Sequence, residues 1–183
     1  MKKIIRNADV LYQGKLQKVD VLFDENQILD VGENIQEDCE VIDAAGLTLL
    51  PGLVDVHVHF RQPGHEEKET IHTGSLAAAH GGFTSVFAMP NVVPSPDGKE
   101  VMEEYLKLIE EESVVHTYPY GTITKKEQGK ELSDLSGMSQ LGVHWFSDDG
   151  VGMNDQNLLR EAFEKGRSGP LLLVGKSVNR RWI

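Results

Sequence analysis

The sequence has a single cysteine, Cys39, so no internal disulfide framework can staple the fold, and a reducing compartment is expected. It has no run of about 18 apolar residues and no charged-then-apolar leader pattern at its start. It has no excess of basic residues: 18 Lys and Arg stand against 29 Asp and Glu, a net charge of −11. That balance argues against nucleic acid or an acidic membrane surface as a partner. With 39% hydrophobic and 26% charged residues over 183 positions, the composition is that of a soluble globular protein of one domain or two small ones. The expected location is the cytoplasm, with no membrane and no nucleic acid among its partners.

The charge is unevenly distributed. Residues 167–183 carry four basic residues (Arg167, Lys176, Arg180 and Arg181) and no acidic ones, whereas all 29 acidic residues lie before them.

Residues 1–50 read as a small β unit. Lys3–Ile5, Asp9–Tyr12, Lys18–Phe23, Gln27–Val31 and Glu40–Asp43 carry apolar or β-branched residues at short intervals, punctuated by Gly14, Asp24-Glu25-Asn26, Gly32 and Gly46. Cys39 sits in a polar stretch without basic or histidine neighbours and reads as inert. From residue 51 strands alternate with helices, the pattern of a βα fold. Strands are expected at Leu53–Phe60, Phe83–Met89, Val114–Tyr120, Gly142–Phe146 and Leu171–Val174. Helices are expected at Thr70–His80, Lys99–Glu112, Lys130–Gln140 and Asp155–Lys165, the last capped by Asn154. The polar clusters follow the carboxyl ends of strands, where a (β/α)8 barrel builds its site. A whole barrel takes about 250 residues, and only 133 follow residue 50. The fold class is therefore α/β: a partial (β/α)8 TIM-type barrel in 51–183, preceded by a small β-sandwich portion in 1–50.

The chemistry concentrates in Pro51–His65. In a strand alternate residues share a face, so Leu53, Asp55, His57 and His59 point one way, and Val54, Val56, Val58 and Phe60 point the other to pack on helices. His57 and His59, with Cα atoms about 7 Å apart, can converge on one cation. A pair of polar-partnered strand histidines is the simpler alternative, but a His-x-His in an apolar strand favours metal. Asp55 shares their face, either to orient a ring or as a structural acceptor. Ser147-Asp148-Asp149-Gly150 alone would be a turn; at the end of a barrel strand, one of its carboxylates becomes a credible ligand. Carboxylate and imidazole together suit Zn2+, which would acidify a bound water for hydrolysis of a carbonyl or amide bond, or its reverse. Arg61 either clamps a substrate carboxylate or is an ordinary surface arginine. Asn91 carries an uncommitted amide at a strand end. His65, His72, His80, His116 and His144 lack ligand spacing.

Taken together, Asp55-Val-His57-Val-His59-Phe-Arg61-Gln-Pro63-Gly64, then Met89-Pro90-Asn91, then Ser147-Asp148-Asp149-Gly150, resemble bacterial dihydroorotases of the amidohydrolase superfamily. The resemblance implies a zinc-dependent, reversible cyclisation of N-carbamoyl-L-aspartate to dihydroorotate in de novo pyrimidine (UMP) synthesis. It implies two zincs per intact site, with His57 and His59 on one zinc and Asp149 bridging both, as in the Asp-bridged branch. It places Arg61, Asn91 and His59 around the substrate. A homodimer is one assembly open to the full-length form. The family's further histidine ligands and its catalytic aspartate come from later strands, so no catalytic residue is assigned in this chain. The place of the first of those histidines reads Lys176. The similarity runs to about Gly166, which leads to the expectation of a truncated, frameshifted and inactive product. The other readings are another cyclic amidohydrolase, such as an allantoinase or hydantoinase, and a non-catalytic scaffold for aspartate transcarbamoylase.

Overall fold

The computed structural model describes residues 1–151, 153–167 and 172–173. Its contacts divide the chain into two compact units, Met1–Pro51 and Gly52–Ile183.

The first unit is all β. Strands β1 (Lys3–Arg6), β4 (Asp20–Phe23), β5 (Ile28–Gly32) and β6 (Glu40–Asp43) form one sheet in the order β5-β4-β1-β6. Strands β2 (Asp9–Tyr12), β3 (Lys15–Lys18) and β7 (Thr48–Leu49) form the other, in the order β3-β2-β7. Ala8, Val10, Val21 and Ala44 are its buried centre. The periodicity read from the sequence misses β3 and β7. Strand β3 is mostly exposed, so it carries no apolar alternation, and it exists because the turn before it closes a hairpin. Gln13 and Gly14 both take positive φ, 49° and 76°, the conformation whose twist matches paired strands.

The second unit alternates strand and helix: β8 (Leu53–Val58), α1 (Ile71–His80), β9 (Phe83–Ala88), α2 (Lys99–Glu112), β10 (His116–Pro119), α3 (Leu135–Gln140), β11 (Trp145–Phe146), α4 (Gln156–Arg167) and β12 (Leu172–Leu173). Strands β8, β9 and β10 pair in parallel, as do β11 and β12, and a parallel bridge between Gly121 and Phe146 joins the two sets. The strands are thus laid side by side in chain order. Helix α1 starts with a reciprocal cap in which Thr70 and Thr73 satisfy each other's backbone amides. Helix α2 buries Met102, Tyr105 and Ile109, spaced as one helical stripe, and leaves its glutamates in water. These side chains meet Val86 and Ala88 of β9, both wholly buried, with Leu135, Met138 and Phe146 completing the core. The alternate face of the sheet carries stacked Phe87 and Tyr118, 5.0 Å between ring centroids, with Trp145 edge-on to Phe87 at 4.9 Å.

Several sequence expectations are corrected. Val54 and Val56 do not pack on helices; they are 56% and 60% exposed. Among the described residues β8 is an edge strand, and α1 packs on β9, so only Val58 and Phe60 of the opening strand reach the core. The third helix is confined to Leu135–Gln140, because Asp134 caps it by accepting from the Gly137 amide and the chain before it bends through Gly129 at φ 66°. The cap of α4 is Asp155, which accepts from the Asn157 and Leu158 amides, rather than Asn154. Leu171, Val174 and Lys176 lie outside the described residues.

Candidate metal centre

Parallel pairing sends every strand's carboxyl end to one edge of the sheet. Backbone rungs lock that edge: Met89 N to Val58 O at 2.9 Å, Tyr120 N to Ala88 O at 2.8 Å, and Ser147 N to Gly121 O at 2.9 Å. The residues around these rungs are therefore neighbours in space, although about thirty to ninety positions apart in sequence.

Three of them converge. His57 Nε2 and His59 Nε2 are 3.3 Å apart, Asp149 Oδ2 is 3.3 Å from His59 Nε2, and Asp149 Oδ1 is 3.7 Å from His57 Nε2. These three residues form a group whose ligand atoms can share one ion. Zinc bonds to nitrogen and oxygen of roughly 2.0–2.2 Å set tetrahedral edges of about 3.3–3.6 Å, close to the 3.3 Å between the two Nε2 atoms and between His59 Nε2 and Asp149 Oδ2. His57 is half-exposed while His59 is more enclosed. Burial holds the His59 ring below its ordinary pKa, helped by the nearby Arg61 charge and opposed by Asp149. A neutral imidazole is the form that binds metal.

The two acids of the Asp-Asp pair have different jobs. Asp148 is buried; its Oδ1 accepts from the Ile123 and Thr124 amides at 2.8 and 3.0 Å, and its Oδ2 accepts from the Thr124 hydroxyl. Burial pushes this carboxyl upward in pKa and the three hydrogen bonds pull against it. It ties the Ser147–Gly150 loop to the segment after β10. Asp149 is left with its carboxylate facing the histidines.

Arg61 lies half-buried beside His59, and among the described residues its guanidinium makes no hydrogen bond or ion pair. Asp55 does not meet a histidine ring; its Oδ1 accepts from the His57 backbone amide at 3.0 Å. Asn91 is not uncommitted. Its Nδ2 donates to Glu127 Oε1 at 2.8 Å and to the Asp149 carbonyl at 3.3 Å. Glu127 is the site residue that periodicity and motif reading miss, since Lys125-Lys126-Glu127-Gln128 reads as a surface loop. Its carboxyl is pushed up to about 7 by burial first, then by Asp148 and Asp149.

The model of the dihydro-orotase-like family matches residues 46–174. The chain belongs to the dihydro-orotase-like family. It is 49% identical over 163 residues to a dihydroorotase of Bacillus cereus, an alignment covering 88% of this chain and 38% of the relative. It is 45% identical over 167 residues to a dihydroorotase of Bacillus cytotoxicus, covering 90% and 39%. The chain thus spans well under half the length of these curated relatives. Among solved structures, the L-hydantoinase (dihydropyrimidinase) of Arthrobacter aurescens superposes with a TM-score of 0.82 at 21% identity, over 94% of this chain and 40% of that one. The dihydropyrimidinase of Brevibacillus agri gives 0.77 at 24%, over 96% and 40%. At such identities these two share the fold with this family member, and the fold alone.

Proposed function

We propose that this chain carries the opening part of a zinc-dependent dihydroorotase site, on the first strands of a (β/α)8 barrel. The reaction is the reversible cyclisation of N-carbamoyl-L-aspartate to dihydroorotate in pyrimidine synthesis. The observation that carries the proposal is the convergence of His57, His59 and Asp149, with the two Nε2 atoms 3.3 Å apart, Asp149 Oδ2 3.3 Å from His59 and Asp149 Oδ1 3.7 Å from His57, a grouping that suits a zinc site. The side-by-side parallel strands support the barrel.

In the forward direction the ureido nitrogen bonds to the side-chain carboxyl carbon and one carboxyl oxygen leaves as water; the reverse is hydrolysis of the ring amide. Bound zinc supplies Lewis acidity to the carbonyl and to water. His57, His59 and Asp149 would hold that charge. Arg61, its fork free of partners among the described residues, clamps the substrate's remaining carboxylate beside His59. Asn91 joins that contact through the N–H that otherwise makes the longer bond to the Asp149 carbonyl.

A hydantoinase reading has the fold on its side, but the dihydroorotase relatives are about twice as similar in sequence as the hydantoinase structures. A metal-free scaffold for a transcarbamoylase does not need the three assembled donors. Because the relatives are more than twice this length, the chain alone is expected to bind the ion and turn over little or no dihydroorotate.

Zinc stoichiometry on the purified chain, before and after His57→Ala, tests the proposal. Bound zinc that is lost in the variant is the expected result. Zinc content indifferent to the substitution would falsify the assignment.

A further inference from the structure

Asp148, Asp149, Gly150 and Val151 form a tight turn, closed by Val151 N donating to Asp148 O at 2.9 Å. Gly150 sits at φ 79°, whereas Asp149 stays out of the left-handed region. That combination is a type II turn, with glycine at the position that needs it. Type I and type II turns differ by rotation of their central peptide, and a glycine at this position admits both. Here the central peptide joins Asp149 to Gly150, and its oxygen is the Asp149 carbonyl. The rotation would take ψ of Asp149 from about +120° to about −30°, and the rotamers open to a side chain depend on its ψ. The state of this one peptide therefore bears on where the Asp149 carboxylate points.

The Asp149 carbonyl accepts from Asn91 Nδ2 at 3.3 Å, and the same nitrogen donates to Glu127 Oε1 at 2.8 Å. Both amide protons are used, and a flipped Asn91 would set its oxygen against two acceptors. Glu127 thus decides which end of the amide meets the turn. The N–H end holds the carbonyl of the type II form, whereas the oxygen would suit the Gly150 N–H of the type I form. Asp148, on the other side of Asp149, is already tied to Ile123 and Thr124. Glu127 is itself fixed in place. Lys126 and Glu127 take φ 51° and 56°, the left-handed region that L side chains avoid. They are pinned there by Lys126 N to Asp97 Oδ2 at 3.1 Å and Glu127 N to Thr124 O at 3.0 Å.

We infer that Glu127 is a positioning residue for the metal site: it orients the Asn91 amide, which in the substrate-free site holds the Asp149–Gly150 peptide and so keeps the Asp149 carboxylate aimed at His57 and His59. The inference rests on the metal reading above. Loss of a group that orients a metal ligand weakens binding about 10–100-fold.

The test uses the 183-residue chain, Zn2+ alone as titrant, and the variants Glu127→Ala, Glu127→Met, Glu127→Gln, Asn91→Ala and the Glu127→Ala/Asn91→Ala double. The 13C shift of the Asp149 carbonyl and the 15N shift of the Gly150 amide are recorded in each metal-free protein. Glu127→Ala should weaken zinc binding about tenfold or more and move both shifts. Glu127→Met, which keeps the length of the side chain without its oxygens, should do the same and serves if the alanine variant does not fold. Glu127→Gln, whose amide oxygen still accepts from Asn91, should keep the wild-type affinity and shifts, and the double variant should match Asn91→Ala. Wild-type affinity in the Ala or Met variant, unmoved Asp149 and Gly150 shifts there, failure of Gln to rescue, or additive losses in the double variant would each overturn the inference. If the wild type binds no zinc, the metal reading fails, and the two shifts still decide whether Glu127 sets the turn.

Discussion

Gly74→Ala is a substitution for which helix propensity and packing disagree. In an ordinary helix the change stabilises by about 1 kcal/mol. Here Gly74 lies in the first turn of α1 with the Phe60 ring against its backbone. An added Cβ would stand 2.4 and 2.5 Å from two ring carbons, against roughly 3.5–4.0 Å for relaxed carbon contact. Phe60 is only 4% exposed, so the ring has no open side to swing into. Overpacking of this kind costs about 1–3 kcal/mol, enough to outweigh the propensity gain. The net expectation is a loss of up to about 2 kcal/mol, or up to several degrees in Tm for a unit of this size. Because Phe60 follows His59 directly, zinc affinity should fall as well. Urea unfolding of the wild type, Gly74→Ala, Phe60→Leu and the double variant measures this as a cycle. The double variant should be less destabilised than the sum of the singles by about 1 kcal/mol. A Gly74→Ala variant more stable than the wild type, or strict additivity, would refute the contact as the reason for glycine.

Three further outcomes are expected. Asp149→Asn should leave thermal stability nearly unchanged and lower zinc affinity, whereas Asp148→Asn should destabilise by about 2–3 kcal/mol, since an amide cannot accept from all three donors around it; reversal of the two phenotypes in melts and zinc titrations would exchange their roles. Tyr105→Phe should be neutral or stabilising by about 1 kcal/mol, because the buried Tyr105 hydroxyl has no hydrogen-bond partner among the described residues; a clear loss in denaturant midpoint would reveal a bond there. The Glu127 carboxyl sits at about 7 when folded, above its ordinary 4.5, so its contribution to metal-free stability is present below about pH 4.5 and lost as pH rises through about 7. Glu127→Gln should therefore exceed the wild type in Tm at pH 8 and match it near pH 4, and equal Tm values at pH 8 would contradict the assigned burial.

His57, His59 and the Asp-Asp-Gly motif were legible from residue type and spacing, because a strand's two-residue period and a parallel sheet's common edge are local rules. The helices at Ile71–His80 and Lys99–Glu112 were legible for the same reason, through capping and periodicity. The exposed β3 and the short α3 were not, since neither is specified by an apolar pattern of its own.

By itself the sequence determined the alternation of strand and helix, the pair of histidines able to share a cation, and the family to which the motifs point. The family resemblance pointed to Asp149, and only the tertiary structure shows what sets it apart from Asp148. Asp148 and Asp149 are chemically identical neighbours, and the backbone donors of Ile123 and Thr124, brought in from another strand end, claim the first and leave the second for the histidines. The same holds for Glu127 and Asn91, which meet across 36 positions of chain. Local sequence carries the period of an element, whereas a hydrogen bond between strand ends exists only once the sheet has put them side by side.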